Sequence, residues 1–457
     1  MVKHYNIDKL TSEEIFGGRL IAPMRQWLKI HSGISDTRKY DYNGDMAIIT
    51  HYLQNKGCPE ERYYREDALL LLDKYYKATH TDFPIDEETP IEAAEALFAA
   101  VIKSPVYKRH KDNNAFTFVD LFAGIGGFRI ALEQLGGRCV YASEFNTTAQ
   151  KSYGMNHGVI PFGDIKRQIN KDRIPEEVDV LCAGFPCQPF SSAGLRRGFN
   201  DEAKGTLFFD LQEIIAAKQP RVIFLENVPG LLTIHNRDEQ GNRLEEKTIE
   251  TILHILRDVL GYYVPEPEIV NACNFGVPQN RERVFIVGFR DGRNELNGDY
   301  HYPTGRGIRK KHFGKIRAKG IVPSEYYMSE RYWQTLVRHI EEQRNLGRGY
   351  GYRTIANDDF GHTLMVGGMG LERNLVVDPA NTLENVHDPR GELNHEHIRV
   401  LTERECARMQ GFPDYFKIFV GKSPAYDQFG NSVAVPAVRE VTRTLLEYAE
   451  IGHYDVK

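Results

Sequence analysis

The sequence predicts an α/β protein: a doubly wound, Rossmann-like sheet that carries a smaller inserted domain and a helical N-terminal extension. Three observations predict it. Short apolar runs alternate with helix-length segments from residue 116 onward, and a cluster of glycines follows the first of those runs directly. After residue 289 the alternation stops for roughly 105 residues and then resumes. A segment of that length between regular parts is seldom a mere loop. The expected division is 1–112 for the extension, 113–289 for the sheet domain, 290–395 for the insert and 396–457 for the return to the sheet domain.

The extension reads as mostly helical. Its clearest piece begins Thr89-Pro90-Ile91-Glu92, where Thr caps, Pro suits the first helical position and Glu completes a capping box. Ile91, Ala94, Leu97, Phe98, Val101 and Ile102 then recur at helical spacing. The strand-like runs of the next domain are FTFVDLFAG (116–124), RCVYASE (138–144), VDVLCAG (178–184), RVIFLEN (221–227) and RVFIVGF (283–289), with a further strand expected to end at Asp164. Residues 205–219 and 248–261 are the helices between them. Strands of this kind, buried on both faces, imply a mainly parallel sheet. The insert has strand-like pieces at 362–366 and 373–378, and 401–413 and 430–449 return to the sheet domain.

Composition narrows the class. A hydrophobic fraction of 41% and a charged fraction of 26% suit a globular chain, and no run of about 18 apolar residues suggests a membrane span. The start, MVKHYNIDKL, has no apolar signal stretch. Six scattered cysteines without a CxxC pair indicate neither a zinc site nor a disulfide framework, so no metal and a reducing, cytoplasmic setting are expected. A formal charge of -5 hides a local excess: residues 290–353 hold fourteen Lys and Arg against seven Asp and Glu. Such an excess fits phosphate contacts, although a charge run is more often a solvated face.

Gly124, Gly126 and Gly127 let a ligand approach the backbone at the strand's carboxyl end, or else serve tight packing. Glu144 lies 20 residues after Gly124 at the end of the second strand, where an acidic residue accepts from ribose hydroxyls. The full GxGxxG pyrophosphate fingerprint is absent, which suits a nucleoside without phosphates better than a dinucleotide. Asp164 either accepts from an adenine amino group or caps a helix. Cys187 stands in GFPCQPFS (184–191), a loop stiffened by two prolines at the sheet's carboxyl edge. Glu226 ends an apolar strand at the same edge, where desolvation would raise its pKa and favour a proton-donating form; a structural cap is the plainer reading.

Together these motifs resemble the DNA (cytosine-5)-methyltransferases of bacterial type II restriction-modification systems. The resemblance rests on DLFAGIGGF (120–128), GFPCQPFS (184–191), ENV (226–228), QNRER (279–283), RECARMQGFP (404–413) and GNSV (430–433), in that order, and covers about 115–450. It implies a methyltransferase sheet and an S-adenosylmethionine pocket lined by Phe122, Glu144, Phe145, Asp164, Ile165, Leu207 and Asn431 beside the glycine turn. Phe145 stands where many relatives carry Trp. Cys187, Glu226 and Arg283 are implied as the catalytic group, with Gln279 and Arg281 organising the loop around it. Ser191, with Gln188, is implied to hold the target strand, and residues 290–395 become a target-recognition domain.

The implied chemistry has a reason at each step. C5 of cytosine is a poor nucleophile, and adding a thiolate at C6 makes it electron-rich. Glu226 would donate to N3 and Arg283 would hold O2 as charge enters the ring. C6 is inaccessible inside a duplex, so the base must be flipped out. Double-stranded DNA is the implied substrate, a cognate restriction endonuclease the functional partner, and a monomer the expected state. A tRNA cytosine-5 methyltransferase shares these motifs with a smaller variable region. A silent DNA-binding protein would need no thiol there, and an oxidoreductase would need the missing fingerprint.

Overall fold

The computed structural model describes residues 42–71, 114–186, 207–238, 242–292, 298–347, 351–367, 371–379 and 391–452. The helix expected from Thr89 lies outside them. The chain divides into two compact units: one takes the residues up to Ile269 with Val284–Tyr302 and those from Thr442 on, and the other takes Val270–Arg283 and Pro303–Val441.

In the first unit, α1 (Tyr42–Asn55) precedes β1 (Phe116–Leu121), α2 (Gly127–Glu133), β2 (Gly137–Ser143), α3 (Thr147–His157), β3 (Val180–Gly184), α4 (Leu207–Lys218) and β4 (Val222–Asn227). The hairpin β5 (His235–Arg237) and β6 (Arg243–Lys247) leads into α5 (Thr248–His254), which ends in a π turn over Ile255–Val259. Strands β7 (Glu268–Asn271) and β9 (Glu282–Phe289) follow, with β8 (Gln279–Asn280) between them in sequence but in the second unit. The main sheet runs β2-β1-β3-β4-β9-β7, parallel from β2 to β4, with β9 antiparallel to β4. A mainly parallel sheet closed by an antiparallel strand is a common doubly wound arrangement. Val119, Leu121, Val140, Leu181, Ile223, Leu225 and Ile286 place its strands in one apolar cluster with α1, α4 and α5.

The strand expected to end at Asp164 is reduced to a single parallel bridge between Ser143 and Phe162. The cause is steric competition for one edge. β2 is the outermost strand, and α1 with the segment that follows it occupies its outer side: from α1 the Gln54 amide donates to the Cys139 carbonyl at 2.6 Å and His51 Nε2 accepts the Ala142 N–H at 3.1 Å, and beyond α1 the Tyr64 hydroxyl donates to the Val140 carbonyl at 2.8 Å. Covering an edge with a helix removes a template for further pairing. Burial pushes the His51 ring down to about 3, so it stays neutral, with Nδ1 facing the Ala47 carbonyl at 2.8 Å.

The second unit holds α6 (Glu330–Asn345), β10 (Thr354–Ile355), β11 (Gly361–His362), β12 (Leu375–Val377), β13 (Ile398–Arg399), α7 (Glu403–Met409) and α8 (Lys422–Asn431). α9 (Val435–Tyr448) closes the chain's regular structure. β10, β12 and β13 form a small sheet, and β11 pairs with β8. Thr402 caps α7 in a box with Glu405, whose carboxylate is also held by the fully buried Arg399 at 2.8 Å. The strand-like runs expected at 362–366 and 373–378 are thus realised only as Gly361–His362 and Leu375–Val377, since short pieces pair locally around this core.

Candidate active site

A cavity opens at the carboxyl ends of β1 and β2 in the first unit. Phe122, Phe145, Ile165 and Leu207 give it apolar walls, and Ser143, Glu144 and Asp164 give it polar ones, with Gly163 and Lys166 completing the rim. The sequence-expected residues Phe122, Glu144, Phe145, Asp164, Ile165 and Leu207 are therefore brought together. Phe145 is 75% exposed, an aromatic face open to a planar ligand.

Each carboxylate is fixed by backbone. Glu144 accepts from the Gly124 N–H at 2.7 Å and the Asn146 N–H at 2.6 Å, and Asp164 accepts from the Lys166 N–H at 3.0 Å. Burial pushes the Glu144 carboxyl up, and those two N–H donors oppose the shift. Gly124 thus supports the cavity through its N–H at a φ of +55°, open to glycine without cost. Phe122 adopts a φ of +54° without being glycine, a local strain of about 1–3 kcal/mol of the kind that collects at ligand sites. Gly126 answers to packing, since a Cβ there would stand 2.2 Å from His157 Nε2, and Gly127 begins α2. Neither is among the lining residues.

Ser143 escaped sequence reasoning. Its side chain is buried, lines the cavity, and its hydroxyl has no hydrogen-bond partner among the described residues. An orphaned buried hydroxyl is costly unless a ligand meets it. Two fixed acceptors, a free hydroxyl and apolar walls suit the hydroxyls, amino group and ring nitrogens of a nucleoside. The signal was its place just before Glu144 at the end of β2, and nothing in its residue type would have set it apart.

Glu226 is the penultimate residue of β4, 9% exposed, and pairs with Gly184 on β3. A Cβ on Gly184 would lie 3.5 Å from the Glu226 carboxylate, so glycine leaves space beside it. Asn227 ties this strand end to the loop after β3: its amide donates to the Phe185 carbonyl at 3.0 Å. Cys187, Gln188 and Ser191 lie outside the described residues.

The remaining expected residues sit in the second unit. Gln279 is fully buried, donating to the Met409 carbonyl at 3.0 Å and accepting from the Leu364 N–H at 3.0 Å. Arg281 is 2% exposed and donates to the Gly430 carbonyl at 3.1 Å and the Ser432 carbonyl at 2.6 Å. These two side chains organise backbone, joining QNRER to GNSV within the unit. Arg283 is half-buried, and Asn431 ends α8 exposed.

The sequence profile of the C-5 cytosine-specific DNA methylases matches residues 116–447. Type II methyltransferase M.HpaII of Haemophilus parainfluenzae is 50% identical over 333 residues, 73% of this chain and 89% of its own. M.HhaI of Haemophilus parahaemolyticus is 35% identical over 342 residues, 73% of this chain and 95% of its own. Among solved structures, the Dnmt2 methyltransferase of S. pombe superposes with a TM-score of 0.52 at 20% identity, covering 73% of this chain and 98% of that one, a likeness of fold.

Proposed function

Because the chain belongs to the C-5 cytosine-specific DNA methylase family and is a DNA (cytosine-5)-methyltransferase, we propose that it methylates C5 of a flipped-out cytosine, drawing on S-adenosylmethionine, through a covalent bond from Cys187 to C6. The observation that carries the cofactor reading is the cavity lined by Glu144 and Asp164 as fixed acceptors and by the buried Ser143 hydroxyl, which has no partner among the described residues. Glu144 would take the ribose hydroxyls and Asp164 the adenine amino group, with Phe122, Phe145, Ile165 and Leu207 around the ring and Asn431 assigned by its motif. When bound, the cofactor supplies an electrophilic methyl group on a positively charged sulfur.

The chain's own residues prepare the base to accept that methyl. Cys187 as thiolate adds to C6, pushing electron density toward C5. Glu226 holds a proton at N3 and Arg283 donates to O2, neutralising charge as the ring receives it. Loss of the C5 proton to a base then lets the Cys187 sulfur leave. Gln279 and Arg281 hold the framework around these groups, and Gln188 and Ser191 face the DNA. Extrusion of the cytosine costs a few kcal/mol, which contacts from residues 290–395 offset. Exposed Arg306, Arg309, Lys310 and Lys311 favour a phosphate-contacting role for part of that segment. The type II names of the relatives support a cognate restriction endonuclease as the functional partner.

A methyl-transfer assay with labelled S-adenosylmethionine on duplex DNA beside tRNA tests this. Wild type should label DNA, while Cys187→Ser should lose transfer yet bind the cofactor nearly as well. Preference for tRNA, or substantial turnover by Cys187→Ser, would sink the reading.

A further inference from the structure

The profile match begins at residue 116, so nothing in it accounts for α1. Three contacts from α1 nonetheless lead toward the cavity, two of them to the stretches that carry its carboxylates and one to the helix behind the glycine turn. At β2, His51 accepts the outward Ala142 N–H, two residues before Glu144. Beside it, the Thr50 hydroxyl accepts the Ile160 N–H at 3.0 Å, four residues before Asp164. Behind the glycine turn, Arg129 of α2 donates to the Gln54 side-chain oxygen at 2.8 Å.

The first two contacts converge. Phe162 donates to the Ala142 carbonyl at 2.8 Å and accepts from the Glu144 N–H at 2.8 Å, so the backbone stretches carrying Glu144 and Asp164 are joined through this short bridge. The His51 ring packs on Phe162 at 4.7 Å and on Tyr141 at 5.7 Å between centroids, and Tyr141 stacks on Phe162 at 4.9 Å. Strand pairing at this edge is thus short, and helix side chains pack directly behind it.

We propose that α1 is a positioning element for the nucleoside pocket, with His51 and Thr50 fixing the backbone from which Glu144 and Asp164 project. This rests on reading the cavity as the S-adenosylmethionine site. None of the α1 residues touches the cavity, so their effect is on geometry and is felt in cofactor affinity rather than in the chemical step. An unpaired buried N–H at Ala142 would recruit water or twist β2, moving Glu144 away from its partner.

The test uses the full-length chain and calorimetric titration with S-adenosylmethionine, well below the unfolding temperature. His51→Phe keeps an aromatic ring but removes the acceptor, and should weaken the cofactor by about tenfold, a loss on the scale of one buried hydrogen bond to an orphaned group. Turnover at saturating cofactor should stay within about twofold. His51→Gln offers an oxygen in place of Nε2 and should restore most of the affinity. Thr50→Val repeats the experiment on the Asp164 side. A merely structural role would lower the melting temperature of these variants and leave the affinity unchanged, and that result would overturn the proposal.

Glu144→Ala separates the two readings. If it too leaves affinity unchanged, the pocket itself is misplaced; if it weakens binding while His51→Phe and Thr50→Val do not, the pocket stands and α1 has no positioning role. Should the variants fail to fold, wild type decides. Coupling between sites is reciprocal, so S-adenosylmethionine should slow hydrogen exchange in residues 46–55, and unchanged exchange there would refute the inference.

Discussion

Acidification from about pH 7.5 to about pH 5 puts a measurable load on His51. The ring is fully buried, accepts the Ala142 N–H through Nε2, and has its pKa lowered from 6.5 to about 3 by burial. A folded-state pKa below the unfolded one means that the unfolded chain binds the proton first. The stability contributed by the neutral ring is therefore complete above about pH 6.5 and is lost as pH falls toward 3. Each unit in that window is worth about 1.36 kcal/mol, so the step from 6.5 to 5 removes about 2 kcal/mol. His51→Gln keeps an acceptor and removes the titration. Urea unfolding of both proteins at the two pH values reads the effect as a double difference, in which common contributions cancel. Among these are the Glu405 and Asp378 carboxyls, both pulled down by Arg399 against the opposing effect of burial. The advantage of wild type over His51→Gln should shrink by about 2 kcal/mol between pH 7.5 and 5. Equal losses in the two proteins would refute the assignment of a neutral, buried acceptor.

Four further outcomes are expected. S-adenosylmethionine affinity should fall as pH drops through the raised pKa of Glu144, because a protonated carboxyl accepts less well, and Glu144→Gln should flatten the calorimetric profile; a flat wild-type profile counts against the ribose role. Glu144→Ala at neutral pH should weaken the cofactor by roughly tenfold to a hundredfold, the range for a charge-assisted hydrogen bond. Replacing the exposed Lys310 and Lys311 by Ala should flatten the dependence of log K on log salt for duplex DNA by about 1.8 if both meet phosphates, and an unchanged slope would remove them from the interface. Exchanging residues 290–395 with those of a relative of different specificity should transfer the choice of cytosine, and a folded, active chimera that keeps the original site would place recognition elsewhere.

How much was legible in the sequence follows from the range of the interactions involved. The strands at 116–121, 180–184 and 222–227 were readable because buried parallel strands need unbroken apolar runs, and Glu144 because a carboxylate at the end of the second such strand has a fixed chemical use. Asp164 lines the cavity, but the strand expected to lead to it is reduced to the Ser143 to Phe162 bridge. Gln279 and Arg281 could be named by motif, yet their work, gathering the Met409, Gly430 and Ser432 carbonyls, depends on partners about 130 to 151 residues away. Ser143 was invisible because a lone serine is common, and only its burial without a partner marks it.

The edge of the main sheet explains why α1 was harder still. An amphipathic helix is recognised by an apolar stripe, and Met46, Ile49 and Leu53 supply one. Thr50, His51, Gln54 and Asn55 are also buried, at helical spacing on an adjoining face, and by composition they read as solvated. They are polar because the surface they cover is polar: a strand edge presents backbone N–H and C=O groups that apolar side chains would leave unpaired. A helix that seals a sheet edge must therefore look, in one dimension, like one that faces water. The difference appears only when the backbone it serves is known, and here that backbone carries Glu144.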